Sequence, residues 1–184
     1  MAAIFLTACM RDAADAPLYG TDITGADFAG DFRLTDHHGN PRQLADYQGK
    51  VVALFFGFTH CPDICPTTMA DLAAAMKLLG NDSNDVQVLF VTVDPERDTP
   101  EVLARFVPSF DARFVGLTGT VEEIDEVAKT FKIYYAKQQE QGQQGYSFDH
   151  SAGVYVYDRK GKIRIYMKYG QKPDEIAHDL ATLL

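Results

Sequence analysis

Two cysteines separated by three residues are the side chains in this sequence best suited to chemistry. Cys61 and Cys65 follow a continuous apolar run, residues 51–58, that predicts a buried strand, and they open a segment with helical spacing of apolar residues. At a helix N-terminus, free backbone N–H groups and the helix dipole stabilise a thiolate. We therefore expect both cysteines to titrate below the usual thiol value and to be both nucleophilic and able to bind a metal.

The spacing of these cysteines limits which metals they could bind. Side chains four residues apart lie on one helical face, so the two sulfurs could approach each other or hold one ion. Pro62 would occupy the first turn of this predicted helix, a position that tolerates proline. Thiolates select Cu(I), zinc or iron–sulfur clusters, and two cysteines are too few for an all-cysteine cluster. Two sulfurs and one nitrogen suit copper in either oxidation state, or zinc with an open position.

The nitrogen would come from one of five histidines. These are His37 and His38 in a predicted turn, where we expect them to be solvated, His60 beside Cys61, His150, and His178 in the last predicted helix. His150 is preferred because it follows a Gln-rich segment and precedes a buried strand, from which a loop can bring a ligand over the cysteine turn. The pattern alone gives only a preference, since a single histidine before a strand is more often structural.

The predicted elements alternate in type along the chain. They are an opening hairpin (32–41), strands at 51–58, 86–93 and 114–117, helices at 62–79, 99–106 and 120–131, a polar surface loop (137–145), a hairpin (154–169) and a closing helix (173–184). This order predicts an α/β thioredoxin-like fold with a central mixed sheet flanked by helices and an N-terminal hairpin extension.

The N-terminal residues differ in character from the rest. Residues 1–9 form an apolar stub ending in Leu6-Thr7-Ala8-Cys9, which resembles the bacterial lipoprotein cleavage box, whose cysteine receives a lipid. We expect residues 1–26 to be an export leader remnant and tether, and residues 27–184 to be one extracytoplasmic domain. No apolar run approaches the roughly 20 residues that a transmembrane helix needs. The net charge of -9 argues against nucleic-acid binding.

Four blocks of the sequence resemble the SCO/SenC family. They are residues 56–66, 93–99, 115–120 and 149–151, in the family's order, and together they span most of the predicted domain. The resemblance implies a thioredoxin-like domain that binds one copper ion through Cys61, Cys65 and His150. It also implies a metallochaperone that delivers copper to, or prepares, the dinuclear copper centre of cytochrome c oxidase. Another periplasmic copper chaperone would be the donor, and a tether at the inner membrane, through a lipid on Cys9 or another anchor, would hold the protein in the bacterial periplasm.

Three other activities compete with copper delivery. In a thiol-disulfide reductase, Cys61 would attack a partner disulfide and Cys65 would resolve the mixed disulfide, without metal and without His150. A peroxide-reducing thiol enzyme is the least supported, because the sequence shows no clear counterpart of the Thr-x-x-Cys arrangement that peroxidatic activation needs. Copper sensing without delivery uses the same residues and is not separable from delivery by sequence.

Several residues near the cysteines are assigned to structure instead. Met69 continues the cysteine register but is expected to fill the core. Asp94, Glu96 and Arg97 follow a central strand, at the edge where α/β proteins place functional groups, and an ion-paired cap of the next helix explains them equally well, so they are left out of the metal site. Asp149 is expected to face away from His150 into solvent.

Overall fold

The computed structural model describes residues 17–139 and 146–184 and contains ten strands and four α-helices in those ranges. The strands are β1 Thr21–Asp22, β2 Arg33–Asp36, β3 Pro41–Gln43, β4 Val51–Gly57, β5 Val86–Thr92, β6 Val115–Thr118, β7 Tyr135–Gln139, β8 Tyr146–His150, β9 Val154–Tyr157 and β10 Ile163–Met167. The helices are α1 Ile64–Leu79, α2 Pro100–Phe106, α3 Val121–Thr130 and α4 Pro173–Ala181. Eight strands form one sheet in the order β1-β10-β9-β4-β5-β6-β2-β3, and β7 pairs only with β8 in a second sheet.

The centre of the large sheet is the parallel pair β4 and β5. Every residue of β4 is buried, and all but one of β5 are buried, because both faces of these strands are covered. Such strands read as continuous apolar runs, which is the pattern that predicted them. Helix α1 packs against α4, α2 lies against β6 and α3 lies against β2. The predicted mixed sheet with flanking helices is confirmed, and so is the opening hairpin, formed by β2 and β3.

Helix α1 begins later than predicted. It starts at Ile64, after a non-helical N-cap at Asp63, so Cys61 and Pro62 lie in the turn before the helix and Pro66 occupies the first turn. A residue that precedes proline is biased away from helical backbone angles, which accounts for the position of Cys61 outside the helix. The predicted stop is confirmed, since Gly80 caps the helix with a φ of 58°.

The segment predicted as a surface loop is partly a strand. Residues 137–139 belong to β7, which pairs antiparallel with β8 from Tyr135↔His150 to Gln139↔Tyr146. The side chains of residues 137–139 are exposed, so they carry none of the apolar alternation that would reveal a strand. Residues 140–145 of the predicted loop lie outside the described residues.

The large sheet extends upstream of the boundary predicted at residue 27. Thr21 and Asp22 form β1 on β10, and the carboxylate of the buried Asp179 accepts hydrogen bonds from the backbone N–H groups of Tyr19 and Gly20. Part of the predicted tether is therefore an edge strand of the domain. Residues 1–16, including Cys9 and its predicted lipid, lie outside the described residues. Among residues 17–139 and 146–184, no helix is long and apolar enough to cross a membrane.

Candidate metal centre

The two motif cysteines lie where the buried strand β4 passes into helix α1. Cys65 is fully buried in the first turn of the helix, whereas Cys61, in the preceding turn, is partly exposed. The backbone N–H of Cys65 donates to Cys61 Sγ over 3.4 Å. The helix N-terminus therefore contacts the sulfur of Cys61, as expected from the sequence.

His150 comes to the cysteines from the end of β8. Its Nε2 lies 3.3 Å from Cys65 Sγ, and its ring packs edge-on against the rings of Phe55 and Phe58. Its Nδ1 lies 3.0 Å from the carbonyl oxygen of Ser151. A carbonyl only accepts, so Nδ1 carries a proton, and the ring directs Nε2 toward the Cys65 sulfur.

The three side chains form a set of ligand atoms suited to a metal ion. Cys61 Sγ, Cys65 Sγ and a ring nitrogen of His150 all lie within 4.8 Å of one another, and this is the one such group of three or more among the described residues. Two thiolates and an imidazole are soft donors, and a carbonyl that fixes the tautomer of a histidine is a common second partner of metal ligands.

The two cysteines differ strongly in acidity. A hydrogen bond from the Cys65 thiol, helped by the backbone N–H groups of Cys65 and Asp63, outweighs burial and lowers the pKa of Cys61 to about 5. The same hydrogen bond, together with burial, raises the pKa of Cys65 well above its usual value. The expectation that both cysteines are acidic is therefore wrong for Cys65 in the metal-free site. Cys61 is therefore the more acidic cysteine of the pair and Cys65 the less acidic one.

Gly57, the last residue of β4, makes room for the Cys65 sulfur. A Cβ at this position would lie 2.9 Å from Cys65 Sγ and 2.8 Å from Cε2 of Phe90. Sequence analysis did not single out this residue, although a glycine inside a strand is a recognised sign of close approach by another group.

Asp98 fixes the other side of the cysteine turn. Its buried carboxylate accepts hydrogen bonds from the backbone N–H and Oγ1 of Thr59, and from Oγ1 of Thr92. Asp98 lies 39 positions from Thr59 in the chain, and no local pattern connects the two. Sequence analysis missed this anchor for that reason.

The other histidines lie outside the ligand group. His60 is exposed and its Nδ1 lies 3.1 Å from Thr59 Oγ1, while His178 lies near the carbonyl oxygen of Pro17. His37 was expected to be solvated, which is wrong. It is buried, and its Nδ1 accepts a hydrogen bond from the backbone N–H of Gly116. Burial lowers the pKa of His37, whereas the adjacent His38 is exposed as expected.

The structure also shows where the three groups of residues set apart from the metal site lie. Met69 is fully buried in the core, as predicted. The carboxylate of Asp149 is exposed and accepts a hydrogen bond from Nε2 of Gln138, away from the cysteines. Arg97 does pair with Asp94, but the pair contacts β8 and does not cap α2, whose N-cap is Thr99.

A mixed sheet flanked by helices carries a thiol pair at the start of its first long helix and a histidine next to that pair. This arrangement defines a thioredoxin-like domain with a dithiol–imidazole site. The family model SCO1/SenC matches residues 20–184. The chain is also 41% identical over 149 residues to the bovine mitochondrial protein SCO2 homolog, a match that covers 80% of this chain. The chain therefore belongs to the SCO1/SenC family, as its sequence blocks suggested.

Solved structures share the fold. ScoI of Bradyrhizobium japonicum, solved with copper bound, superposes with a TM-score of 0.79 at 36% identity, covering 85% of this chain and 99% of that one. BsSco, described as a member of the Sco family of cytochrome c oxidase assembly proteins with a disulfide switch, gives a TM-score of 0.69 at 25% identity, covering 91% of this chain and 98% of that one. The predicted thioredoxin-like fold is confirmed.

The chain spans only part of the length of the curated relatives. This chain covers between 55% and 60% of the lengths of four mammalian SCO1 and SCO2 homologs that it matches. The range that the family model matches, residues 20–184, contains the whole of the dithiol–imidazole site.

Proposed function

We propose that this domain binds one copper ion through Cys61, Cys65 and His150 and delivers it to the dinuclear copper centre of cytochrome c oxidase. The observation that carries the proposal is the convergence of the three ligand atoms within 4.8 Å of one another. The copper-bound ScoI relative and the oxidase-assembly relative support the choice of metal and of recipient.

The chemistry of the donors favours copper over harder ions. Thiolates and imidazole are ligands of Cu(I), and the same set accepts Cu(II), whereas Mg²⁺ and Ca²⁺ require oxygen ligands. Copper here is cargo, so the site has to release it as well as bind it. Partial exposure of Cys61 leaves one ligand within reach of incoming thiolates from a recipient.

A titration with copper tests the proposed ligands. Reduced, metal-free protein is given Cu(II), and the sulfur-to-copper charge-transfer absorption and the stoichiometry are measured for wild type, His150→Ala and His60→Ala. We expect one ion per chain in wild type and in His60→Ala, whose histidine is exposed and outside the ligand group. The band should be lost or shifted in His150→Ala. Unchanged affinity and spectrum in that variant would exclude His150 as a ligand.

Thiol-disulfide reduction of the same recipient is the second candidate function. It is favoured by the difference between a thiolate at Cys61 and a buried thiol at Cys65. Cys61 would attack one sulfur of a partner disulfide, forming a mixed disulfide and expelling a partner thiolate. Cys65, losing its proton, would then attack Cys61 Sγ, which releases the second partner thiolate and leaves the protein oxidised by two electrons.

Two reactions separate these functions. Copper-loaded protein is mixed with the reduced, metal-free copper-centre domain of the oxidase, and metal-free reduced protein is mixed with the same domain in its disulfide form. Delivery predicts that the absorption of the dinuclear centre appears in the first mixture and depends on His150. Reduction predicts free partner thiols in the second mixture, formed equally well by His150→Ala.

We further propose that the domain works outside the cytoplasm, held at the inner membrane of a bacterium by its N-terminal segment. The lipoprotein-like box that ends in Cys9 supports this proposal. Metabolic labelling with a radioactive fatty acid, compared between the wild-type chain and Cys9→Ser, tests it. Label that depends on Cys9 is expected, and equal labelling of the two chains would contradict lipidation at this cysteine.

A further inference from the structure

The histidine of the site lies on a hairpin that does not belong to the main sheet. Strands β7 and β8 pair with each other, and within the described residues neither shares a ladder with the eight-stranded sheet. A two-stranded hairpin is marginally stable by itself in water. The position of β8, and with it the distance from His150 to Cys65, therefore depends on the short link from His150 to β9 and on contacts that side chains of the main domain make with the hairpin.

The first residue of β8, Tyr146, makes the most elaborate of these contacts. Two cations contact its ring, with Arg97 Cζ 3.8 Å and Lys137 Nζ 3.6 Å from the ring centroid. Its hydroxyl donates to Oδ1 of Asp94 over 2.9 Å, and its carbonyl oxygen accepts a hydrogen bond of 2.9 Å from Nη1 of Arg97. Cation–π contacts and charge-assisted hydrogen bonds are the stronger kinds of polar contact at a partly exposed site.

The residues that receive Tyr146 belong to the rigid part of the domain. Asp94 is buried directly after β5, and its backbone N–H donates to Oγ1 of Thr92. Nε of Arg97 is paired with the Asp94 carboxylate. Asp98, next in the chain, anchors the cysteine turn through Thr59. One loop, residues 94–98, therefore holds both the segment with the cysteines and the strand with the histidine.

We propose that Arg97, Asp94 and Tyr146 form a latch that positions His150 over the cysteine pair. Arg97 is a positioning residue, since it acts on the site only through β8. The inference rests on the proposed role of His150 as a copper ligand. The latch holds the end of β8 opposite to His150, so we expect its release to loosen the strand that carries the histidine. The cysteines remain held by β4, by α1 and by the bonds from Thr59 to Asp98.

A double-mutant cycle in copper affinity tests the latch. Arg97→Met keeps side-chain length but removes the cation and its donors, and it is measured with a Cu(I)-chelating competitor in wild-type and His150→Ala backgrounds. We expect about a tenfold weakening in the wild-type background, as for outer partners of metal ligands. In the His150→Ala background we expect Arg97→Met to cause almost no loss of copper affinity, because the histidine that the latch positions is absent. Arg97→Lys should restore part of the affinity.

Arg113→Met is the matched control. Arg113 also pairs with an aspartate, Asp111, but at the opposite end of the sheet, before β6. We expect it to leave copper affinity unchanged. If Arg97→Met weakened copper binding equally in both backgrounds, Arg97 would act independently of His150, which would overturn the latch. Unchanged copper affinity of Arg97→Met in the wild-type background would overturn it as well.

Amide hydrogen exchange of metal-free protein provides a readout independent of copper. Arg97→Met should speed exchange of the β8 amides while those of β9 and β10 keep the wild-type rates. Tyr146→Leu should reproduce this result if Arg97→Met does not fold. Unchanged β8 exchange in either folded variant would contradict the latch. If wild type failed to bind copper, the proposed function would fall, and the exchange experiment would still decide whether the latch exists.

Discussion

The two halves of the site are built in different ways. The cysteines stand on the main scaffold, between a fully buried strand and a 16-residue helix, with Asp98 anchoring the turn. His150 stands on a separate two-stranded hairpin that side-chain contacts hold in place. For the proposed copper site, this difference predicts two fixed sulfur ligands and one nitrogen ligand that can leave, which suits the proposed delivery of copper.

The largest effect is expected from removing a fixed ligand. Cys65→Ala should weaken copper binding by at least about 100-fold, because loss of an outer partner alone costs roughly 10- to 100-fold. Competition with a Cu(I) chelator measures it. His150→Ala should weaken binding less, since two thiolates remain. We call the part of the site that carries the cysteines the fixed half and the part that carries His150 the movable half. An equal loss of affinity in the two variants would remove this distinction.

The fixed half also predicts a difference in reactivity between its cysteines. In metal-free protein, the rate of Cys61 alkylation by iodoacetamide should rise with pH through a midpoint near 5, because the pKa of Cys61 is lowered to about 5, and then level off. Buried Cys65 should react far more slowly at neutral pH. Removing the Cys65 thiol in Cys65→Ala should raise the Cys61 midpoint. Peptide mass spectrometry across the pH range measures both cysteines, and two equal midpoints near the usual thiol value of about 8.5 would contradict the asymmetry.

A third prediction tests whether the half of the site that carries the cysteines depends on close packing at Gly57. Gly57→Ala would force a Cβ against Cys65 Sγ and the Phe90 ring, so we expect about 1–3 kcal/mol of destabilisation and weaker copper binding. Urea unfolding and the chelator competition measure the two effects. Gly30→Ala is the control, because its Cβ would meet only Cγ2 of Thr130, at 3.6 Å. Destabilisation of equal size in the control would show that the effect does not come from the space around the sulfur.

The smallest effect is expected at the movable half. Tyr146→Phe keeps the ring and its two cation contacts and loses the hydroxyl's hydrogen bonds to Asp94 and Glu96, so copper affinity should fall by about threefold. Tyr134→Phe, at an exposed tyrosine beside the same hairpin, should leave the affinity unchanged. A loss with Tyr146→Phe as large as with His150→Ala would mean that the hydroxyl alone keeps β8 in place.

The fixed half could be predicted from the sequence to a large extent. The run of residues 51–58 and the helical spacing after it placed the cysteines between a buried strand and a helix, because burial on two faces leaves a pattern in consecutive residues. The local pattern placed the start of the helix too early, at Pro62, whereas the first helical residue is Ile64.

The movable half could not be derived from local pattern. The exposed residues 137–139 look like a loop because a ribbon outside the main sheet needs no apolar alternation. The local pattern gave only a preference for His150 as the nitrogen ligand, and the family resemblance then selected it. The contacts that place it, such as Arg97 with Tyr146, join residues 49 positions apart, and pairings of that range leave no signal in a single sequence. His37 was misjudged for the same reason, since its burial depends on Gly116.

X-ray absorption at the copper edge of Cu(I)-loaded protein tests the central claim most directly. We predict two sulfur neighbours and one nitrogen neighbour in wild type and in His60→Ala, and loss of the nitrogen in His150→Ala with both sulfurs retained. A wild-type spectrum with sulfur neighbours alone, or one that His150→Ala leaves unchanged, would contradict a copper site shared between the cysteine turn and the hairpin.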